Sequence, residues 1–219
     1  MMRQAIILLV LILQILCVCA QDSINYKGIT IWHGDLLFVG AQSKNLSGAI
    51  NRVTQRTSSA AFDHIGLIEI AHGLPHILHA SSKKGSVKEP LDSLLKNNHD
   101  DDRLFAIYRI DSIYQNAIPE AIARARQMLG KPYNWSYTLN DSSYYCSDFV
   151  ERAFRHIALF QLEPMTFKNP KTGDFDEFWK IFYANQGLEV PEGELGCNPN
   201  GMAASRHIHY VGSFHTRAE

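Results

Sequence analysis

The chain has 219 residues, 46% of them hydrophobic, with 21 basic and 22 acidic side chains. That is enough apolar material for one ordinary domain with a full core. A near-zero net charge without a basic stripe excludes nucleic acid as a partner, and only four cysteines exclude a disulfide framework.

The first twenty residues carry Arg3, an apolar run from Ala5 to Leu13 that resumes after Gln14, and Ala20 with Val18 two before it. A basic start, a short apolar core and a small residue at Ala20 fit a secretory signal peptide over 1–20. The expectation is an exported protein, periplasmic or secreted, whose mature part (21–219) is one domain without repeats or linkers. Lipid attachment ranks second, because Leu16 and Val18, not small residues, precede Cys17 and Cys19. A retained membrane span ranks lower, since the run is interrupted and falls short of the ~20 residues needed.

Residues 29–33 and 35–39 suit two strands around a turn at Gly34. Residues 43–56 place Leu46, Ala49, Ile50 and Val53 on one side of a helix, with Ser47 or Asn45 as a cap. Residues 61–70 form a strand, and a His72-Gly73-Leu74-Pro75 turn leads to its partner over 76–80. Residues 86–91 are a third strand, followed by a short helix capped by Asp92. Residues 105–109 are β-rich. Pro119 opens a helix that Gly130 stops, with Ile118, Ile122 and Ala125 inward. A polar, aromatic loop leads to Cys146, and Phe149, Val150, Ala153, Phe154 and Ile157 mark an amphipathic helix over 147–159. Residues 175–184 are a short aromatic helix, 187–201 a Gly/Pro-rich coil and 208–214 a last strand. Irregular alternation with hairpins predicts an α+β fold with a largely antiparallel sheet against helices.

Cys146 stands at a helix start, where free N–H groups and the helix dipole favour a thiolate. A cysteine nucleophile needs a base within reach, and the base needs an orienting group. Of the ten histidines, His64 is the best placed: it alternates onto one face of its strand beside Gly66, where the missing side chain leaves open space. The hairpin puts His79 opposite residues 67–69, diagonally near His64. A neutral imidazole accepts a hydrogen bond, so a second histidine suits the orienting role. Glu69 is the rival, although alternation turns it, like Asp63, to the other face. The competing reading for Cys146 is a buried structural thiol or a bridge to Cys197.

Three motifs follow in order: Gly34-Asp35-Leu36-Leu37-Phe38, then Asp63-His64-Ile65-Gly66-Leu67, then Tyr145-Cys146-Ser147-Asp148-Phe149-Val150. They resemble the YiiX/YebB (YaeF-like) group of circularly permuted NlpC/P60 cysteine hydrolases, in which the histidine strand precedes the cysteine helix. Gly130-Lys131-Pro132-Tyr133 also resembles that group's Gly-x-Pro-Tyr segment. The resemblance implies a papain-like fold, Cys146 as nucleophile, His64 as general base and His79 as the polar third residue, where many relatives carry glutamate. It further implies that Tyr133 and Tyr145 line the cleft and that the Cys146 N–H is an oxyanion donor.

The implied reaction is acyl transfer from an amide or ester carbonyl. An amide comes first, in a peptide (for example one derived from peptidoglycan), an amino-acid amide or a lipid-linked substrate; an esterase or acyltransferase acting on lipid acyl groups is the alternative. No cofactor is implied. Two rivals remain: a catalytically silent binding module of the same fold, suggested by the substituted third residue, and a metal site built from His72, His76, His207 and His209. Asn45, Asn134 and Asn140 each begin an Asn-x-Ser sequon; two of these flank the expected cleft, which favours a bacterial source or sequons that are not used.

Overall fold

The structure, a computed structural model, describes residues 22–55, 61–98 and 102–216. The expected signal segment lies outside them, and no helix among the described residues is long and apolar enough to cross a membrane. The chain opens with β1 (Ser23–Tyr26), β2 (Ile29–Trp32) and β3 (Leu36–Gly40), then helix α1 (Asn45–Thr54). Next come β4 (Phe62–Ala71), β5 (Leu74–Ser81), β6 (Gly85–Pro90), α2 (Leu91–Lys96) and β7 (Leu104–Ile110). The second half holds α3 (Ile118–Gln127), α4 (Cys146–Phe154), β8 (Glu163–Pro164), α5 (Glu177–Ala184), β9 (Leu195–Gly196), α6 (Pro199–Ala203) and β10 (Ile208–His215). The main sheet has six strands in the order β10-β7-β3-β4-β5-β6, every pair antiparallel.

Both faces of the central strands are buried, which explains the unbroken apolar run Leu36-Leu37-Phe38-Val39. Leu36, Phe38, Ile65, Leu67 and Leu78 pack in one core layer with Ala121, Ile122, Phe149 and Val150 of the helices. Leu37, Val39, Ile68, Ile77 and Ile107 form the other layer, closed by Ile31 and by Leu91, Leu94 and Leu95 of α2. Helix α4 is buried almost all round, including Asp148 and Glu151, whose charges are met by Arg152 and Arg155.

Asp35 is buried and accepts the Trp32 N–H and two guanidinium bonds from Arg109, both at 2.8 Å; the guanidinium also stacks 4.2 Å from the Trp32 ring. Ser86 ties the loop after α3 to β6: its hydroxyl donates to the Met128 carbonyl at 2.6 Å and accepts the Lys131 N–H at 2.9 Å.

Several local expectations are corrected. Neither Ser47 nor Asn45 caps α1; Lys44 holds that position without a side-chain bond, and Ser47 Oγ instead accepts the Gln42 N–H. Asp92 does not cap α2, whose N-cap is Pro90; its carboxylate takes the Tyr26 hydroxyl. The helix expected over 147–159 ends at Phe154 and continues as a 3₁₀ turn to Ile157, with Ala158 left-handed at φ +49°. The coil of 187–201 contains β9 and α6, too short for periodicity to reveal. Cys146 and Cys197 are not bridged.

Gly85, at the β5–β6 turn, has φ +72°, and a Cβ there would run into the Lys131 carbonyl. Gly85→Ala should therefore cost about 1–3 kcal/mol in denaturant unfolding; a neutral result would show that this turn does not hold the loop before Cys146.

Candidate active site

The loop leading to Cys146 is held closed by its own backbone. Tyr133 and Tyr144 form a bridge, the Asn134 N–H donates to the Tyr144 carbonyl at 3.0 Å, and the Tyr144 N–H donates to the Pro132 carbonyl at 3.2 Å. Cys146 is the first residue of α4, so its N–H has no intrahelical acceptor. The flanking residues fasten the helix start to the far wall: Ser147 Oγ donates to the Cys197 carbonyl at 3.0 Å, and the Tyr145 hydroxyl accepts the Cys197 N–H at 3.3 Å. The thiol opens on a cavity of about 530 Å³, lined on one side by Asp63, Tyr133, Tyr137 and Tyr145.

Asn200, buried on α6, fixes the start of β4. Its Oδ1 accepts the Phe62 N–H at 2.7 Å and its Nδ2 donates to Thr54 Oγ1 at 2.9 Å. The register between β3 and β4 slips between Val39 and Gly40, which pair with His64 and Phe62, so Asp63 is the extra residue. Such bulges re-aim side chains beside functional sites. The slip also puts Phe62 in the core layer of Ile65, contrary to simple alternation. Arg103 closes the bulge, bonding the Gly40 carbonyl and the Asp63 carboxylate.

His64 and His79 meet: His64 Nε2 lies 2.7 Å from His79 Nδ1, the rings nearly perpendicular. Leu67 pairs with Leu78, so His79 stands opposite Gly66 rather than residues 67–69. The space over Gly66 is not open; the Ile77 side chain fills it.

Behind His79 stands a residue that the sequence reading missed, Glu89, with Oε1 3.0 Å from His79 Nε2 and Lys84 Nζ 2.5 Å from its other oxygen. His79 pairs with Val87 across the next hairpin, so Glu89 shares its face two residues on. Applying alternation to the third strand would have found it. Glu69 points elsewhere, to Arg126 and Lys88.

The hydrogen bond from His79 holds the Glu89 carboxyl down at about 2, with Lys84 assisting. An ionised carboxylate only accepts, so His79 Nε2 carries a proton; in the neutral tautomer of His79 its Nδ1 then accepts from His64 Nε2–H. The basic nitrogen left on His64 is Nδ1. Burial, with His79 and Arg103 nearby, holds the His64 pKa well below the ordinary value, so the ring is neutral.

The thiol does not share a hydrogen bond with His64. Its Sγ lies 3.9 Å from the Asp63 carbonyl oxygen, and the Ile65 N–H and Tyr133 hydroxyl stand ready to stabilise a thiolate. The thiol thus borders the backbone on either side of His64, in the core layer of Ile65 and Leu78, while the two histidines share the face of Gly66 and Ile77. Burial outweighs the helix-terminus effect expected from sequence and pushes the thiol up to about 12. The resting pair is therefore neutral thiol and neutral imidazole.

Among the described residues no three metal-binding side chains converge. His209 pairs with Asp111 at 3.0 Å and His207 packs on Tyr114, while His76 bonds the Leu74 carbonyl in the hairpin.

An antiparallel sheet whose histidine strand precedes a cysteine-led helix is the permuted form of the papain-like fold. The chain belongs to the C92 family of permuted papain-like amidase enzymes, the YaeF/YiiX family, whose model matches residues 30–212. It is accordingly a thiol hydrolase of the papain-like kind. Among solved structures it is similar to "metalloprotein yiiX" of Escherichia coli O157:H7, at 19% identity and a TM-score of 0.65, covering 82% of this chain and 96% of that one. A search of curated proteins finds no match.

A raised thiol pKa has a sign that alkylation can read. A group raised by burial stays protonated at neutral pH and gains reactivity only as pH climbs. Peptide-mapped iodoacetamide labelling of Cys146 should be slow at neutrality and still rising above about pH 9, where an unfolded chain with thiols near about 8.5 has levelled. A plateau at or below neutrality would show a stabilised thiolate instead.

Proposed function

We propose that the protein is an exported hydrolase that cleaves an amide by attack of Cys146, with His64 as general base and His79 and Glu89 behind it. The observation that carries this reading is the unbroken chain Glu89–His79–His64, which ends at the residue whose two neighbours border the Cys146 thiol. In the free protein the proton-transfer contact is open, as is common before substrate binds. Contact between His64 Nδ1 and Sγ requires more than a side-chain rotation: the backbone at the bulge must turn His64 from the face of Gly66 and Ile77 to that of the thiol. His64 takes the thiol proton as Sγ bonds to the carbonyl carbon, then delivers it to the leaving amine. Water, activated by the same nitrogen, hydrolyses the thioester. The Cys146 N–H stabilises the oxyanion.

A silent binding module fits less well. His79 departs from the glutamate of many relatives, but Glu89 restores a carboxylate one step further along the chain. A second substrate reading has its own support. Ile50, Val53, Leu159, Phe160, Met165 and Phe167 line the cavity, a wall suited to an aliphatic acyl group on an ester or amide. Arg206 and Gln161 line the same cavity and offer partners to a peptide's carboxylate and amides, so the apolar wall widens the substrate range rather than excluding a peptide.

The test is turnover of a panel of N-acyl amino-acid amides and fatty-acyl esters. Cys146→Ala and His64→Ala should each remove about 10²-fold or more of the rate; turnover that survives Cys146→Ala refutes the assignment. Because His64 must be unprotonated and its pKa is lowered, the acid limb of kcat/KM should fall below about pH 6.5. Glu89→Gln should lower kcat by about 10²-fold and move that limb, since the ring tautomer is no longer fixed. An unchanged profile would detach Glu89 from the reaction.

A further inference from the structure

Tyr137 is buried, 7% exposed, in the wall of the cavity that holds Cys146. Its backbone is left-handed at φ +57°, a conformation costly for an aromatic residue. The surrounding loop enforces it. Asn134 Oδ1 accepts the Ser136 N–H at 3.1 Å and hydroxyl at 2.8 Å, Asn134 Nδ2 donates to the Thr138 carbonyl at 2.7 Å, and the Tyr183 hydroxyl donates to the Ser136 carbonyl at 3.0 Å. These four bonds bracket Tyr137 and press its ring between Tyr145, at 5.3 Å between centroids, and Trp179, at 5.6 Å.

The phenol at the end of this ring has no hydrogen-bond partner among the described residues. The Tyr133 hydroxyl is near enough to influence its ionisation, as are Cys146 and Asp63, yet the geometry of a bond between the two hydroxyls is not met. A buried hydroxyl left unpaired costs on the order of 1–3 kcal/mol. Here a strained backbone and an unpaired donor coincide beside the reactive thiol. Burial also raises the Tyr137 pKa, so the hydroxyl keeps its proton and only its donor capacity matters.

We propose that Tyr137 is a further catalytic residue, whose hydroxyl donates a hydrogen bond to the substrate carbonyl oxygen as Cys146 attacks. It complements the Cys146 N–H as the second oxyanion donor. No proton is transferred: as Sγ bonds to carbon, the carbonyl π electrons move to oxygen, and the O–H bond of Tyr137 stays intact. This inference rests on Cys146 as nucleophile.

The test is acylation by a p-nitrophenyl acyl ester, followed as the p-nitrophenol burst, in wild type, Cys146→Ala and Tyr137→Phe. Tyr137→Phe removes one oxygen and keeps the ring. It should slow acylation by about 10²-fold, with KM nearly unchanged and a melting temperature equal to or above wild type, since no bond in the free protein is lost. A Tyr137→Phe burst within twofold of a Cys146-dependent wild-type burst overturns the proposal and leaves the nucleophile standing. A fall in melting temperature with normal acylation would also overturn it, by making the hydroxyl structural. A wild-type burst that Cys146→Ala does not remove overturns both readings.

Discussion

The molecule depends on β4 being buried on both faces while it carries a bulge at its first residues. Burial on both sides leaves no freedom of register, because a slip by one residue would carry Ile65 and Leu67 into the layer of Ile68 and Ile77. The bulge at Asp63 is the single place where the strand departs from alternation. Everything chemical gathers there: the cysteine helix from one side, the histidine pair from the other, and Arg103 and Asn200 clamping the ends. The rest of the sheet makes this one irregularity reproducible.

The electrostatics follow from the same burial. Thiol and imidazole both stay neutral, the buried Cys146 with its pKa raised and the partly buried His64 with its pKa lowered. A fixed negative charge is kept at a distance, on Glu89, where half-exposed Lys84 balances it. The rings of His79 and His64 stand between this carboxylate and the bulge that borders the thiol. Placing the glutamate behind His79, rather than directly against His64, keeps a carboxylate in contact with the histidine pair without burying an unpaired charge beside the thiol.

Much of this was legible in the sequence because it is periodic. The alternation in Phe62–Ile70, the turn near His72-Gly73 and the apolar spacing after Cys146 are local signals. They placed β4, the hairpin and the start of α4, although β5 begins at Leu74, inside the expected turn, and α4 ends at Phe154. The meeting of His64 with His79 followed from one hairpin. What escaped had non-local causes. The bulge depends on Gly40 and Phe62, 22 positions apart in the chain, and carries no mark in either segment. Glu89 required carrying the register through a second hairpin. The direction of the thiol shift depended on how deeply α4 sinks into the core, which the helix pattern alone does not state. Tyr137 gave no signal, since an aromatic residue in a polar loop reads as packing until its dihedral and its unpaired oxygen are seen.

The loop before Cys146 has one more implication. Asn134 and Asn140 each begin an Asn-x-Ser sequence, and in each the amide oxygen accepts the backbone N–H and hydroxyl of the serine two residues on. The same spelling that marks a site for glycan attachment is here a recipe for a tight turn. At Asn134 the side chain is buried and its nitrogen is already committed to Thr138. A sugar on that nitrogen would have to break the turn that holds Tyr137, so glycosylation at Asn134 and formation of the native loop exclude each other. A eukaryotic secretory pathway would thus force the nascent chain to choose between an oligosaccharide and the native loop before Cys146.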